Sequence, residues 1–131
     1  MHKNHKQLLS NFFDILSLTC SKAVIDQSED WCKGSSTYFD EIKKELDEVQ
    51  EELQKENNVY LEDELGDVLW DYLNLLKHLE LEEKITIENV FKRCKKKYTE
   101  RLHGRKNGEF WNDVKKRQKE VLAKEQKNYK K

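Results

Sequence analysis

A chain of 131 residues with 36% hydrophobic content, four Gly and no Pro has room for one domain and too few turn-formers for a many-stranded sheet, so it reads as an all-α helical bundle of four to five helices. So modest a core leaves apolar surface to cover, and association into an oligomer is the natural way to cover it. Cys20, Cys32 and Cys94 form no CxxC pair and are odd in number, which argues against a zinc site and a disulfide framework alike and fits free thiols in a reducing cytoplasm.

The charged amino end, Met1 to Lys6, and the interruption of the next apolar run by Asn11 and Asp14 argue against a signal peptide or membrane span. Residues 7–24 read as a first helix with Leu8, Phe12, Ile15 and Leu16 inward and Val24 as a further candidate. Residues 26–37 are small and polar and form a loop holding Trp31, with Ser36 or Thr37 placed to cap the next helix. Two helices follow, about 38–56 and 60–79, flanking Asn57-Asn58. In the first, Phe39, Ile42, Leu46, Val49 and Leu53 recur as one helical face, and Glu41, Glu45, Glu48 and Glu52 repeat the rhythm beside it. In the second, Leu61, Leu65, Val68, Tyr72, Leu76 and Leu79 make the apolar side, with Glu64, Asp67, Asp71 and Asn74 on its flank.

A reversal at Asn57-Asn58 into an antiparallel pair sets residues equally distant from the turn at the same height. Glu48 then faces Asp67, and Glu45 lies near Trp70 and Asp71. So many carboxylates raise one another's pKa values unless a cation neutralises them, and oxygen ligands suit Mg2+, or Mn2+ in its place. In a chain with 39% charged residues a Glu row alone is usually a solvated face. Gly66 is the feature that such a face does not explain: it costs about 1 kcal/mol inside a helix, and close approach of the partner helix beside Asp67 would account for it.

Thr86 is a candidate cap for a helix of about 87–102, with Ile87, Val90, Phe91, Cys94 and Tyr98 on its apolar side among Lys95, Lys96, Lys97 and Arg101. His103 to Gly108 reads as a loop, and Glu109 to Lys131 as a last, basic helix, ordered to about 127 and fraying beyond, with Phe110, Trp111, Val114 and Val121 or Leu122 on one side. The charge is divided: residues 38–83 are net −12 and residues 84–131 net +11. An acidic middle followed by a basic end suits a metal with a polyphosphate substrate, and equally suits two helices joined by ion pairs. Without interleaved aromatics the basic tail argues weakly for a nucleic-acid partner, and none is expected.

Glu45-Leu46-Asp47-Glu48 on one helix and Glu64-Leu65-Gly66-Asp67 on the next, with Val68-Leu69-Trp70 continuing the apolar run and 15 residues between Glu48 and Glu64, resemble the MazG-type all-α nucleotide pyrophosphohydrolases, relatives of the dimeric dUTPases. The family's first motif opens on a further Glu where this chain has Lys44, and Glu52 is a candidate substitute. The resemblance covers about residues 31–102 of a single domain spanning 1–131, and the Glu-Leu-Gly-Asp half is its more specific part. It implies that Glu45, Glu48, Glu64 and Asp67 are metal ligands and catalytic residues, with Mg2+ as cofactor. It further implies that Lys97 and Arg101 reach the phosphates, Trp31 stacks on a base, and Asp71 and Asn74 also meet the substrate. The implied reaction splits a nucleoside triphosphate between its α and β phosphates into monophosphate and pyrophosphate, as in nucleotide-pool house-cleaning, in a cytoplasmic homodimer or homotetramer. Two other classes compete. A carboxylate-bridged di-iron bundle needs Glu-x-x-His on two helices, and only Glu100 to His103 fits. A non-catalytic interaction module, in which acidic and basic helices merely pair, predicts no divalent-metal dependence.

Overall fold

The computed structural model describes residues 2–129, with side chains from Asn4 onward. Among the described residues there are five helices and no strand: α1 (His2–Gln27), α2 (Ser35–Leu53), α3 (Asn58–Leu81), α4 (Ile87–Lys106) and α5 (Trp111–Tyr129). They fall into two compact units, the first holding α1 to α3 up to Ile87 and the second holding α4 and α5 from Glu88.

In the first unit α3 packs on both α1 and α2. Its inward side is Asp71, Asn74, Leu75 and His78, all buried, together with Leu73 and Leu76. This differs from the apolar side expected for α3, since Leu65 is 49% and Tyr72 43% exposed. Leu46, Phe39 and Leu53 of α2 are likewise exposed, while Glu41, Ile42, Glu45 and Val49 are half-buried. Both rows therefore share the packed side: Ile42, Val49, Leu61 and Val68 are half-buried like Glu41, Glu45 and Glu64, and Leu76 is buried, while Phe39, Leu46, Leu53, Leu65 and Tyr72 lie exposed. Val24 and Leu8 of α1 are also exposed rather than inward, and Thr19, Ala23 and Asp26 take the buried side.

By length and composition Asn4–Gln27 would suffice to cross a membrane, contrary to the expectation from the amino end, because Asn11 and Asp14 interrupt the run without making it polar. The carboxyl-terminal half of this helix is nevertheless tied to its neighbours. Asp26 bonds Lys22, accepts a hydrogen bond from the Tyr38 hydroxyl at 2.5 Å, and lies 2.9 Å from His78 Nε2.

The start of α2 is held by α3's far end. Ser35 donates from its backbone N–H and its hydroxyl to the Glu82 carboxylate, at 2.9 and 2.8 Å, so neither Ser36 nor Thr37 is the cap; Thr37 Oγ1 instead accepts from the Lys33 N–H. Gly34 permits this by adopting φ 88°, and a Cβ there would sit 2.8 Å from Glu82 Oε2. Gly34→Ala should therefore lower stability by about 1–3 kcal/mol, measured by urea unfolding, since a side chain there is strained at that φ and crowds the cap.

Gly66 is different. A Cβ there meets nothing within 4 Å, so the close helix approach expected beside Asp67 does not occur among the described residues. Gly66→Ala should raise helix stability by about 0.5–1 kcal/mol in urea titrations of the isolated chain, and a loss would reveal a close neighbour from outside it.

In the second unit α4 continues through residues 103–106, which were expected to be loop, and turns at Gly108 with φ 86°. Gly104 is buried inside this extension, and a Cβ would fall 2.6 Å from Val114, so α5 lies against the backbone here. Lys130 and Lys131 of the predicted last helix lie outside the described residues.

Candidate active site

The antiparallel α2–α3 pair carries its carboxylates in tiers because residues four apart stack along one helix side. Oxygens of Glu45, Glu48 and Glu64 lie within 4.8 Å of one another, as do those of Asp63, Glu64 and Asp67 and those of Glu41, Glu45 and Asp71. Glu64 and Glu45 each belong to two of these groups, so the cluster is continuous from Asp67 to Asp71. Of the nine residues expected at the site, Glu45, Glu48, Glu64, Asp67 and Asp71 are thus brought together.

Electrostatics mark the same place. Burial, then Glu48, Asp67 and Asp71, push the Glu45 carboxyl up to about 7, and burial followed by Glu41, Asp67 and Glu48 pushes Asp71 up to about 6 against the pull of Lys22. Burial and neighbouring carboxylates also raise Glu64 and Asp67. Glu48 stands against both Glu45 and Glu64 and contributes to raising each of them. Yet Glu45 Oε2, Glu64 Oε2 and Asp71 Oδ2 are buried with no hydrogen-bond partner among the described residues. Buried, unpaired and mutually repelling oxygens are the donor set that a hard divalent cation satisfies, so the residues fit Mg2+.

The remaining expected residues sit elsewhere or are otherwise engaged. Glu52 accepts from Asn57 Nδ2 at 3.3 Å and pairs with Lys55 at 3.7 Å, and it joins none of the three carboxylate groups. Asn74 is fully buried, its amide donating to the Trp70 carbonyl at 2.8 Å while Oδ1 is unpartnered. Trp31 is half-exposed, with Lys22 Nζ 4.6 Å from the ring centre on one face and Tyr38 edge-on at 6.0 Å. In the second unit Arg101 is buried: Nε donates to Gln118 Oε1 at 2.9 Å, and the guanidinium lies 5.3 Å from the rings of Tyr98 and Trp111. The Lys97 carbonyl accepts from the same Gln118 at 3.0 Å.

Asp26, Tyr38 and His78 escaped the sequence reading. Tyr38 stacks on His78 with ring centres 5.1 Å apart, and both bond Asp26. Burial alone would raise the Asp26 carboxyl, but bonds from Lys22, Tyr38 and His78 hold it below its usual range. The same burial and Asp26's charge push the Tyr38 phenol up. A signal for His78 was present, since it continues the polar row of Asp71 and Asn74 by one more turn.

The helix pair thus carries a tiered carboxylate cluster of the kind that can hold a divalent cation. The family model for the MazG nucleotide pyrophosphohydrolase domain matches residues 33–105, more than half of the chain, and the chain belongs to that family. No curated protein and no solved structure matches it.

Proposed function

We propose that the protein is a Mg2+-dependent nucleoside triphosphate pyrophosphohydrolase that releases a nucleoside monophosphate and pyrophosphate. The observation that carries this is the meeting of Glu45, Glu48 and Glu64 within 4.8 Å, with two of their oxygens buried and unpaired, inside the span that the family matches. Glu45, Glu48, Glu64 and Asp67 would hold the cation. When bound, Mg2+ neutralises phosphate charge and lowers the pKa of water. Glu48, exposed at the mouth of the cluster, takes the proton from the attacking water, which adds at phosphorus as the bond to the leaving pyrophosphate breaks. Asp71 adjoins the cluster through Glu41 and Glu45, and Trp31 offers its exposed face to a base, whereas Asn74 and Arg101 are buried and held by their neighbours.

The exposed apolar rows of α2 and α3, Phe39, Leu46 and Leu53 with Leu65, Leu69 and Tyr72, support a homodimer or homotetramer, and the three free thiols suit the cytoplasm. Pyrophosphate release should be measured across ribo- and deoxynucleoside triphosphates, with and without Mg2+. Release from at least one that vanishes on chelation is the expected result, and no metal-dependent release from any of them would reject the proposal in favour of a binding module.

A further inference from the structure

We propose that the α2–α3 pair holds a second divalent cation, one helical turn deeper than the first, on Glu41, Glu45 and Asp71. These three offer carboxylate oxygens within 4.8 Å of one another. None but Glu45 belongs to the motif residues that hold the first ion.

Asp71 makes this more than a group of acids on a surface. It is 8% exposed, and its Oδ2 is buried with no hydrogen-bond partner among the described residues, as is Glu45 Oε2 beside it. An isolated carboxylate in such a place is costly, and it must be neutralised by a proton or a cation. Two local cations are already committed. Lys22 bonds Asp26 and the Tyr38 hydroxyl, the latter at 3.2 Å, and Lys44 meets Glu41 Oε1 at 3.4 Å in an exposed pair of little strength. Glu45 and Asp71 are therefore left with no ion pair among the described residues, and a cation is what their unpartnered oxygens lack.

The geometry also explains why Glu45 belongs to two groups. A carboxylate between two ions gives one oxygen to each, and paired ions in phosphate-cleaving sites stand about 3.5–4 Å apart, within reach of a shared carboxylate. The ligands are all oxygen, which selects Mg2+ or Mn2+ over zinc. Asp71 would thus meet the substrate through an ion rather than directly. The inference rests on the carboxylate cluster being a metal site, but not on the identity of the nucleotide.

The test is calorimetric titration of the metal-stripped full chain with MnCl2, without nucleotide, followed by electron paramagnetic resonance. The wild type should bind two Mn2+ per chain and show the broadened signal of a coupled pair. Glu41→Gln and Asp71→Asn should each weaken one equivalent at least tenfold while the other remains, and the signal of an isolated Mn2+ should return. Glu48→Gln should weaken the other equivalent. Both inner variants replace a charge with a neutral group of similar size, and circular dichroism checks that they fold. A single ion whose affinity neither inner variant changes, or no ion at all, overturns the inference. Two bound ions with no pyrophosphate release from any triphosphate would instead reject the proposed function and leave the second ion standing.

Discussion

Glu64→Gln should reduce pyrophosphate release by a factor on the order of a hundred or more, while the fold without metal stays at least as stable as the wild type. Glu64 belongs to both outer groups, with Glu45 and Glu48 on one side and Asp63 and Asp67 on the other, so neutralising it removes charge from two tiers at once. A residue on an ordinary solvated face would show neither effect. Unchanged turnover, or a clear loss of metal-free stability, would refute the assignment.

The acid behaviour of the metal-free protein follows from the same cluster. Glu45 is pushed up to about 7 and Asp71 to about 6, above their ordinary values of 4.5 and 3.8, so the folded state keeps protons that the unfolded chain has released. Their contribution to stability is whole below about pH 4 and is lost as pH rises toward 7. The thermal midpoint in EDTA should fall over that span by about 4 °C or more, and Mg2+ should suppress the fall. A midpoint that rises with pH in EDTA would contradict the crowding described here.

Asp26→Ala should cost about 3–5 kcal/mol in urea unfolding, the largest stability loss expected of any single change in the first unit. Its side chain is fully buried, and its removal takes the acceptor from the Tyr38 O–H, strands His78 Nε2 in the interior and leaves the Lys22 charge without its carboxylate. The exposed bidentate pair of Arg93 and Glu125 provides the contrast, at 2.6 and 3.1 Å, because Glu125→Ala should cost under about 1 kcal/mol. Equal losses in the two variants would show that the buried network is not what joins α1 to α2 and α3.

The sequence made the helices and the carboxylate tiers legible because both follow from spacing. Glu48 and Asp67 come to the same stretch of the pair since Asn57 and Asn58 fix where the chain reverses. Spacing identifies which residues share a side, but not what covers that side, and hence Leu65 and Tyr72 were placed inward and lie exposed. The same ignorance of neighbours hid Gly104, whose burial against Val114 depends on α5 returning along α4. Gly66 misled in the opposite sense, since its cost is visible in sequence and no neighbour among the described residues accounts for it. Asp26 was out of reach for another reason: beyond Lys22 its partners are 12 and 52 residues away, and no local pattern joins them.

The bond between Glu82 and Ser35 bears on the cluster in another way. At one end α2 and α3 are joined by the short connection at Asn57, and at the other by a carboxylate resting on the first backbone N–H of α2. Two rods fastened at only one end can shear, and a slip of one turn, about 5.4 Å, would carry each tier past its counterpart. Fastened at both ends, the pair behaves as a vernier locked at one setting. That lock is electrostatic, and the Ser35 N–H holds the Glu82 carboxyl below its usual range, so the setting survives acid that would protonate an ordinary surface glutamate.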